Sequence, residues 1–353
     1  MINKSIKIQT FLACFCYFIL SYAVFLPVFS STNPLIFLIT CFFEGLITVY
    51  IGAILFGKNF TRSPKSKIIL GCFVPITLLS AVFLSLLFLT EVIKDVCFIS
   101  ARNVKLTEYI LLASAILILS FYLSTNGEKG IFRFCIVSAF ICVIIFLMLL
   151  LPAIFHGSFV LFPTDTTSHG VSTSAIRGAI FGLYTSLDFC IFLYCFTPFI
   201  FARQVRGIKG TILFSYISSF ILAFACILVC YSIFGVNLSA NLKSPFYAMS
   251  KLIPGYDFTE IITVLLILAF SVKSSVYLFG CTKLLQAAFF KNDFPRKKII
   301  ISVYALIPIT ACTLYAFLKG NRTYGAFNHL FFPSALCWFI LFILCLLFLR
   351  KKE

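Results

Sequence analysis

The chain has 353 residues, of which 61% are hydrophobic and 11% charged, with a mean hydropathy of +1.10 and a formal net charge of +17. Soluble domains carry about a quarter charged residues, so no soluble fold competes for this composition. The basic excess is scattered through short loops and not gathered on one surface, which argues against nucleic acid as the partner.

A helix rises about 1.5 Å per residue and the hydrocarbon core is about 30 Å thick, so a span needs roughly 20 mostly apolar residues. Ten runs meet that length: Ile8–Phe29, Pro34–Phe56, Ile68–Val92, Leu106–Leu123, Ile131–Phe155, Gly178–Ala202, Ile212–Phe234, Phe258–Leu284, Ile299–Phe317 and Leu330–Leu349. The runs are continuous, whereas barrel strands alternate apolar and polar residues, so an all-α polytopic membrane protein is predicted. The longest gaps, His156–Arg177 and Gly235–Asp257, are too short to build a core of their own. Residues 1–353 are therefore read as a single transmembrane domain.

Charge placement predicts the orientation. With the N-terminus inside, the inner segments hold 19 of the 28 lysines and arginines, among them Lys4 and Lys7, Lys58 to Lys67, Arg203 to Lys209, Arg296 to Lys298 and Arg350 to Lys352. The outer segments hold 8, and Lys273 alone lies deep inside a span. The positive-inside rule then puts both termini in the cytoplasm. Lys4 and Lys7 before an apolar stretch imitate a secretory signal, with Ser21-Tyr22-Ala23 as a small-residue cleavage site. The apolar character continues through Phe29, however, and removal of the stretch would leave an odd number of spans, so it is read as an uncleaved first span.

Most of the 15 cysteines, such as Cys72, Cys142, Cys226 and Cys281, lie within apolar runs and are expected to pack as small hydrophobes. Cys14-x-Cys16 and the Cys226/Cys230 pair have no histidine or carboxylate nearby in sequence, so neither metal nor disulfide is expected.

Charged groups inside a bilayer are costly and mark cavities or partners. In the first span, Ser21-Tyr22-Ala23-Val24-Phe25-Leu26-Pro27 combines two hydroxyl side chains with a helix-breaking proline, either an unwound segment over a substrate or a kink near the outer end. Glu44, midway through the second span, is either a partner for Lys273 or a protonated carboxyl. Asp188 lies in the sixth span after Gly182-Leu183-Tyr184-Thr185-Ser186-Leu187, with Tyr184 one turn before it. That stretch reads either as a discontinuous helix beside a ligand or as a packed helix with one ion pair; Gly178-x-x-x-Gly182 fits plain helix packing equally well. Lys273 lies near the middle of the eighth span with Ser271, Ser274 and Ser275 close by. It is either a cation built into a binding or transport pathway or a structural lysine paired with a buried carboxylate. Glu91 and Glu260 stand within a turn of span ends, where water reaches them.

The sequence has no Walker A loop, no Gly-x-Ser-x-Gly elbow and no HExxH, and its three histidines form no helical pair. No catalytic residue and no cofactor is expected.

The order of features from Gly130 to Lys352 resembles the GerAB-type spore germination permeases, the B subunits of nutrient germinant receptors within the amino acid/polyamine/organocation transporter superfamily. The residues that carry it are Gly130-Ile131-Phe132-Arg133 entering a span that ends Leu149-Leu150-Leu151-Pro152, then Leu161-Phe162-Pro163, Ser232-Ile233-Phe234-Gly235 and Ser244-Pro245-Phe246. Phe270-Ser271-Val272-Lys273-Ser274-Ser275-Val276-Tyr277, Phe332-Pro333 and the basic tail Arg350-Lys351-Lys352 follow in the same order. Ile99-Ser100-Ala101-Arg102-Asn103-Val104 replaces the Leu-Pro-x-Thr-Pro type segment common in the family, and Phe258-Thr259-Glu260 keeps only the acid of its Arg-x-Glu pattern.

The resemblance implies ten helices in a 5+5 inverted repeat, with repeat one near 8–155 and repeat two near 176–349, the first and sixth helices being discontinuous at the midplane. It implies a site for a small amino acid or similar metabolite made by Ser21, Tyr22, Ala23, Phe25, Tyr184, Thr185, Ser186 and Asp188. Lys273, with Ser274 and Glu44, would take the place of a coupling ion. It further implies a nutrient sensor in the inner membrane of the spore, working with an A-type membrane subunit and a C-type lipoprotein. A proton-coupled amino acid transporter and a scaffold for partner subunits are the competing expectations.

Overall fold

Inside hydrocarbon every backbone N–H and C=O must be satisfied within the chain, which drives long apolar runs into helices. A computed structural model of the protein describes residues 2–25, 34–56, 60–62, 106–156, 171–201, 207–241, 259–289 and 349–351. Among these, helices α1 (Ile2–Phe25), α2 (Pro34–Phe56), α3 (Leu106–Thr125), α4 (Gly127–His156), α5 (Val171–Phe201), α6 (Ile208–Asn241) and α7 (Thr259–Phe289) form, with two short strands, β1 (Phe60–Arg62) and β2 (Leu349–Lys351). The third and ninth predicted spans, and the tenth except Leu349, lie outside the described residues.

Five helices contain segments long and apolar enough to cross a bilayer: Ser5–Tyr22, Leu35–Ile54, Gly127–Met148, Ser172–Leu193 and Ile208–Cys230. Their exposed faces are apolar too. Leu35, Ile39, Phe43, Ile47 and Tyr50 are exposed at three- and four-residue intervals along α2, and Val137, Phe140, Ile144 and Met148 along α4. Contiguous apolar stripes of this length mark a surface that lipid, not water, covers. These are the marks of an integral membrane protein.

The chain divides into two compact units, Met1–Tyr50 with Cys135–Ser186 and Gly210–Ala269, and Ile51–Phe134 with Leu187–Lys209 and Phe270–Glu353. Each takes segments from both halves of the sequence. In the first unit, α1 is buried on every side from Ala13 to Tyr22. Phe18 meets Tyr216 edge-on at 5.0 Å, and Tyr22 meets Phe220 edge-on at 5.8 Å. The backbones of α2 and α5 approach closely where Gly178 and Gly182 face Phe37, Thr40 and Cys41. A Cβ on Gly182 would stand 2.5 Å from the Cys41 carbonyl oxygen, so only glycine permits that crossing. Nine cysteines among the described residues are buried and form no disulfide.

In the second unit, α3 passes into α4 with a single residue between them. Asn126 N–H donates to the Tyr122 carbonyl at 3.2 Å, and Gly127 takes φ +74°. Space around Gly127 is open, so a side chain there would meet only backbone strain. Gly127→Ala is expected to cost about 1 kcal/mol, and Gly127→Asn less, as thermal unfolding of the solubilised chain would show. In the same unit β1 pairs antiparallel with β2, Phe60 opposite Lys351, Thr61 opposite Arg350 and Arg62 opposite Leu349. The strand that follows α2 and the strand near the C-terminus therefore lie side by side.

The break expected in the sixth span is absent, and the one expected in the first span falls partly outside the described residues. The sixth predicted span is one uninterrupted helix, Val171–Phe201, through Gly182 to Asp188, and α1 is helical through Phe25, so neither shows the expected break over the described residues. Local bonding explains both. Thr185 Oγ1 donates to the Phe181 carbonyl at 3.0 Å and Ser21 Oγ to the Tyr17 carbonyl at 2.8 Å, each one turn back along an intact helix. Gly182 serves the crossing with α2 and not a bend. The predicted loop His156–Arg177 also shortens, because Val171–Arg177 is helical, and α6 runs on to Asn241. Leu26 and Pro27 lie outside the described residues.

Candidate functional site

From Ala269 to Leu278, α7 is buried round its whole circumference. A helix in that position is expected to be apolar throughout, yet this one carries Ser271, Lys273, Ser274, Ser275 and Tyr277. Ser275 is accounted for, since its hydroxyl donates to the Val272 carbonyl at 2.7 Å. The others have no such local explanation.

Lys273 Nζ is hydrogen-bonded to Asp188 Oδ2 as a buried salt bridge between α7 and α5. The Tyr277 hydroxyl donates to the other oxygen, Asp188 Oδ1. Lys273 and Tyr277 are one turn apart and share a face of α7, so a single carboxylate receives both. The Asp188 side chain is 2% and the Lys273 side chain 0% exposed. Taking two such charges out of water costs several kcal/mol each, which good geometry and extra hydrogen bonds must offset; the Tyr277 hydroxyl is one such bond.

Two further buried hydroxyls stand on the same stretch of α7. Ser271 Oγ and Ser274 Oγ are buried and have no hydrogen-bond partner among the described residues. They are three positions apart, on neighbouring faces of one helical turn. Ser120 of α3 donates to the Ile116 carbonyl at 2.7 Å and reaches the Ser271 carbonyl at 3.3 Å, tying α3 to α7 at this level. Further along α5 aromatic rings pack on one another and on α7: Phe189 stacks on Phe192 at 5.7 Å, Phe192 meets Phe196 at 4.6 Å, and Phe196 stacks on Phe279 at 6.0 Å. The result is a neutral, buried ion pair on a helix that also carries two buried hydroxyls without a hydrogen-bond partner among the described residues. An unmade hydrogen bond in such a place costs about 1 to 3 kcal/mol per group, and a small polar ligand or water would recover it.

The structure thus brings together two of the residues singled out in the sequence, Asp188 and Lys273, with Ser274 next to Lys273 along α7. The carboxylate against Lys273 is Asp188, while Glu44 is half-buried on α2. In the first unit, Ser186 Oγ donates to the Gly45 carbonyl at 3.3 Å and the Tyr216 hydroxyl to the Phe42 carbonyl at 3.2 Å. Tyr22 is buried among aromatic rings, with its hydroxyl near that of Tyr216. Ser21 and Thr185 are spent on their own helices. Ala23, Phe25 and Tyr184 are helical by backbone, and their side chains lie outside the described residues. Tyr277 and Ser120 are not assigned a role by the sequence. The i,i+4 relation to Lys273 is the signal that could have found Tyr277; nothing in the sequence marks Ser120.

Among the described residues no three His, Cys, Asp or Glu side chains gather where a metal ion could be held. Compared with known proteins, the chain matches no family model and no curated protein.

Proposed function

We propose that this chain is the nutrient-binding subunit of a spore germinant receptor, a transporter-like sensor of a small amino acid in the inner spore membrane. In this reading it has ten helices in a 5+5 inverted repeat with both termini in the cytoplasm, and it works with an A-type membrane subunit and a C-type lipoprotein. The observation that carries the ligand class is the buried Asp188–Lys273 pair with the Tyr277 hydroxyl on its carboxylate. A zwitterion matches it in charge: an α-carboxylate takes Lys273 while an α-ammonium takes Asp188, and the chain's internal pair is exchanged for two pairs with the ligand. A lone amine or a lone acid frees one buried charge without replacing its partner, which is costly. Such an exchange moves α5 and α7 apart, which is the differential contact a sensing equilibrium needs. The resemblance at Gly130–Arg133 and Phe270–Tyr277 supports the receptor class, and the β1–β2 pairing is compatible with an even number of crossings between Arg62 and Leu349.

The test has two arms. Spores lacking the chain are expected to lose their response to one or a few amino acids and to regain it when the chain is restored. The purified chain is expected to bind those amino acids and neither the decarboxylated nor the deaminated analogue. Normal nutrient response without the chain, together with uptake driven by a pH gradient in vesicles holding it alone, would replace the sensor by a proton-coupled transporter.

A further inference from the structure

We propose that the β1–β2 ribbon is a cationic surface that holds the headgroups of anionic phospholipids in the leaflet it faces. The ladder sets the segment after α2 beside the C-terminal segment, and both are basic. Arg62, Arg350 and Lys351 stand in the ribbon itself, Lys58 is two positions before β1, and Lys352 follows β2 directly. No acidic residue occurs from Gly57 to Lys67, and Glu353 is the one acid next to β2. Neither segment alone carries so dense a charge; pairing them concentrates it within about one Debye length, where fields add without heavy screening.

Position selects the partner. The α2 helix ends at Phe56 and β1 begins at Phe60. At about 3.5 Å per residue, that connection keeps the ribbon within roughly 14 Å of the end of a helix whose Leu35–Ile54 segment is long enough to span the membrane. Phosphate groups of the bilayer occupy that depth, whereas an acidic protein segment would have to be brought there. Basic clusters next to a membrane helix gain about fivefold in association with an anionic surface for each Lys or Arg. This inference rests on the ribbon and the sequence alone and stands independently of the proposed sensing role.

The test uses the full chain reconstituted in phosphatidylcholine vesicles with spin-labelled phosphatidylglycerol or spin-labelled phosphatidylcholine as the probe. The motionally restricted fraction of each gives the preference of the chain for the anionic lipid. The unsubstituted chain is expected to prefer phosphatidylglycerol severalfold, with the preference falling at high salt. The loop variant Lys58→Gln/Arg62→Gln and the tail variant Arg350→Gln/Lys351→Gln are each expected to lower it several times over. A charge-preserving variant, Thr61→Pro/Leu349→Pro, removes a ladder hydrogen bond whichever of the two register classes the pairs occupy, and it is expected to lower the preference as well. Equal association of both lipids with the unsubstituted chain would overturn the proposal. So would full preference in the proline variant, since the charges would then act without the ribbon.

Discussion

Removing either member of the Asp188–Lys273 pair alone is expected to destabilise the protein by about 3 to 5 kcal/mol, because the other member then keeps its charge in a buried place without the opposite charge that offsets it. Asp188→Ala takes the carboxylate away from the Lys273 ammonium, and Lys273→Ala takes the ammonium away from a carboxylate that also accepts from the Tyr277 hydroxyl. Replacing both at once with apolar residues of similar size, Asp188→Leu/Lys273→Met, removes both charges and their desolvation cost, so most of the lost stability is expected to return. Nutrient response is not. This separates a structural pair from a ligand-exchanging one, since a pair that merely packs can be exchanged for apolar contacts without loss of function. The measurements are the melting temperature of the solubilised chain and germination of spores carrying each variant at equal protein level. A double variant that responds like the unsubstituted chain would remove the pair from the mechanism. Tyr277→Phe is expected to lie between, costing about 1 to 3 kcal/mol by leaving Asp188 Oδ1 without its donor.

The sequence announces such a pair only in part. Apolar length is written into every span, and for α2 it gives both ends to the residue, Pro34 and Phe56. Elsewhere the helices outrun the apolar runs, as at Val171–Arg177 and Gly235–Asn241, because hydropathy reports how thick the membrane is and not where backbone hydrogen bonding ends. Lys273 and Asp188 each stood out as charges within apolar runs, yet they are 85 positions apart and nothing local joins them. Their pairing depends on how α5 and α7 are rotated toward each other, which no window along the chain can read. The expected break at Gly182 failed for a related reason. Glycine with neighbouring hydroxyls suits an interrupted helix and a close helix crossing equally, and the choice was made by α2, whose backbone at Phe37 and Cys41 lies against Gly178 and Gly182.

That crossing gives the second large effect. Gly182→Ala places a methyl 2.5 Å from the Cys41 carbonyl oxygen and 3.1 Å from its Cα, both backbone atoms with no rotamer to yield. The helices must separate, and overpacking of this kind costs about 1 to 3 kcal/mol or more. Gly178→Ala is expected to do the same, since its added carbon meets the Phe37 carbonyl and Thr40 Oγ1. Gly210→Ala is the internal control. It lies in α6 with nothing within 4 Å of the added carbon, so it should be neutral or gain about 0.5 to 1 kcal/mol from the better helix former. The difference between these variants, read as melting temperatures of the solubilised chain, isolates the α2–α5 contact from any general effect of replacing glycine in a helix. If Gly182→Ala melts with Gly210→Ala, the two backbones do not touch there. Ser186, one turn beyond Gly182, would then also lose its bond to the Gly45 carbonyl as a feature of the crossing, because that bond requires the same closeness of α2 to α5 that the glycines permit.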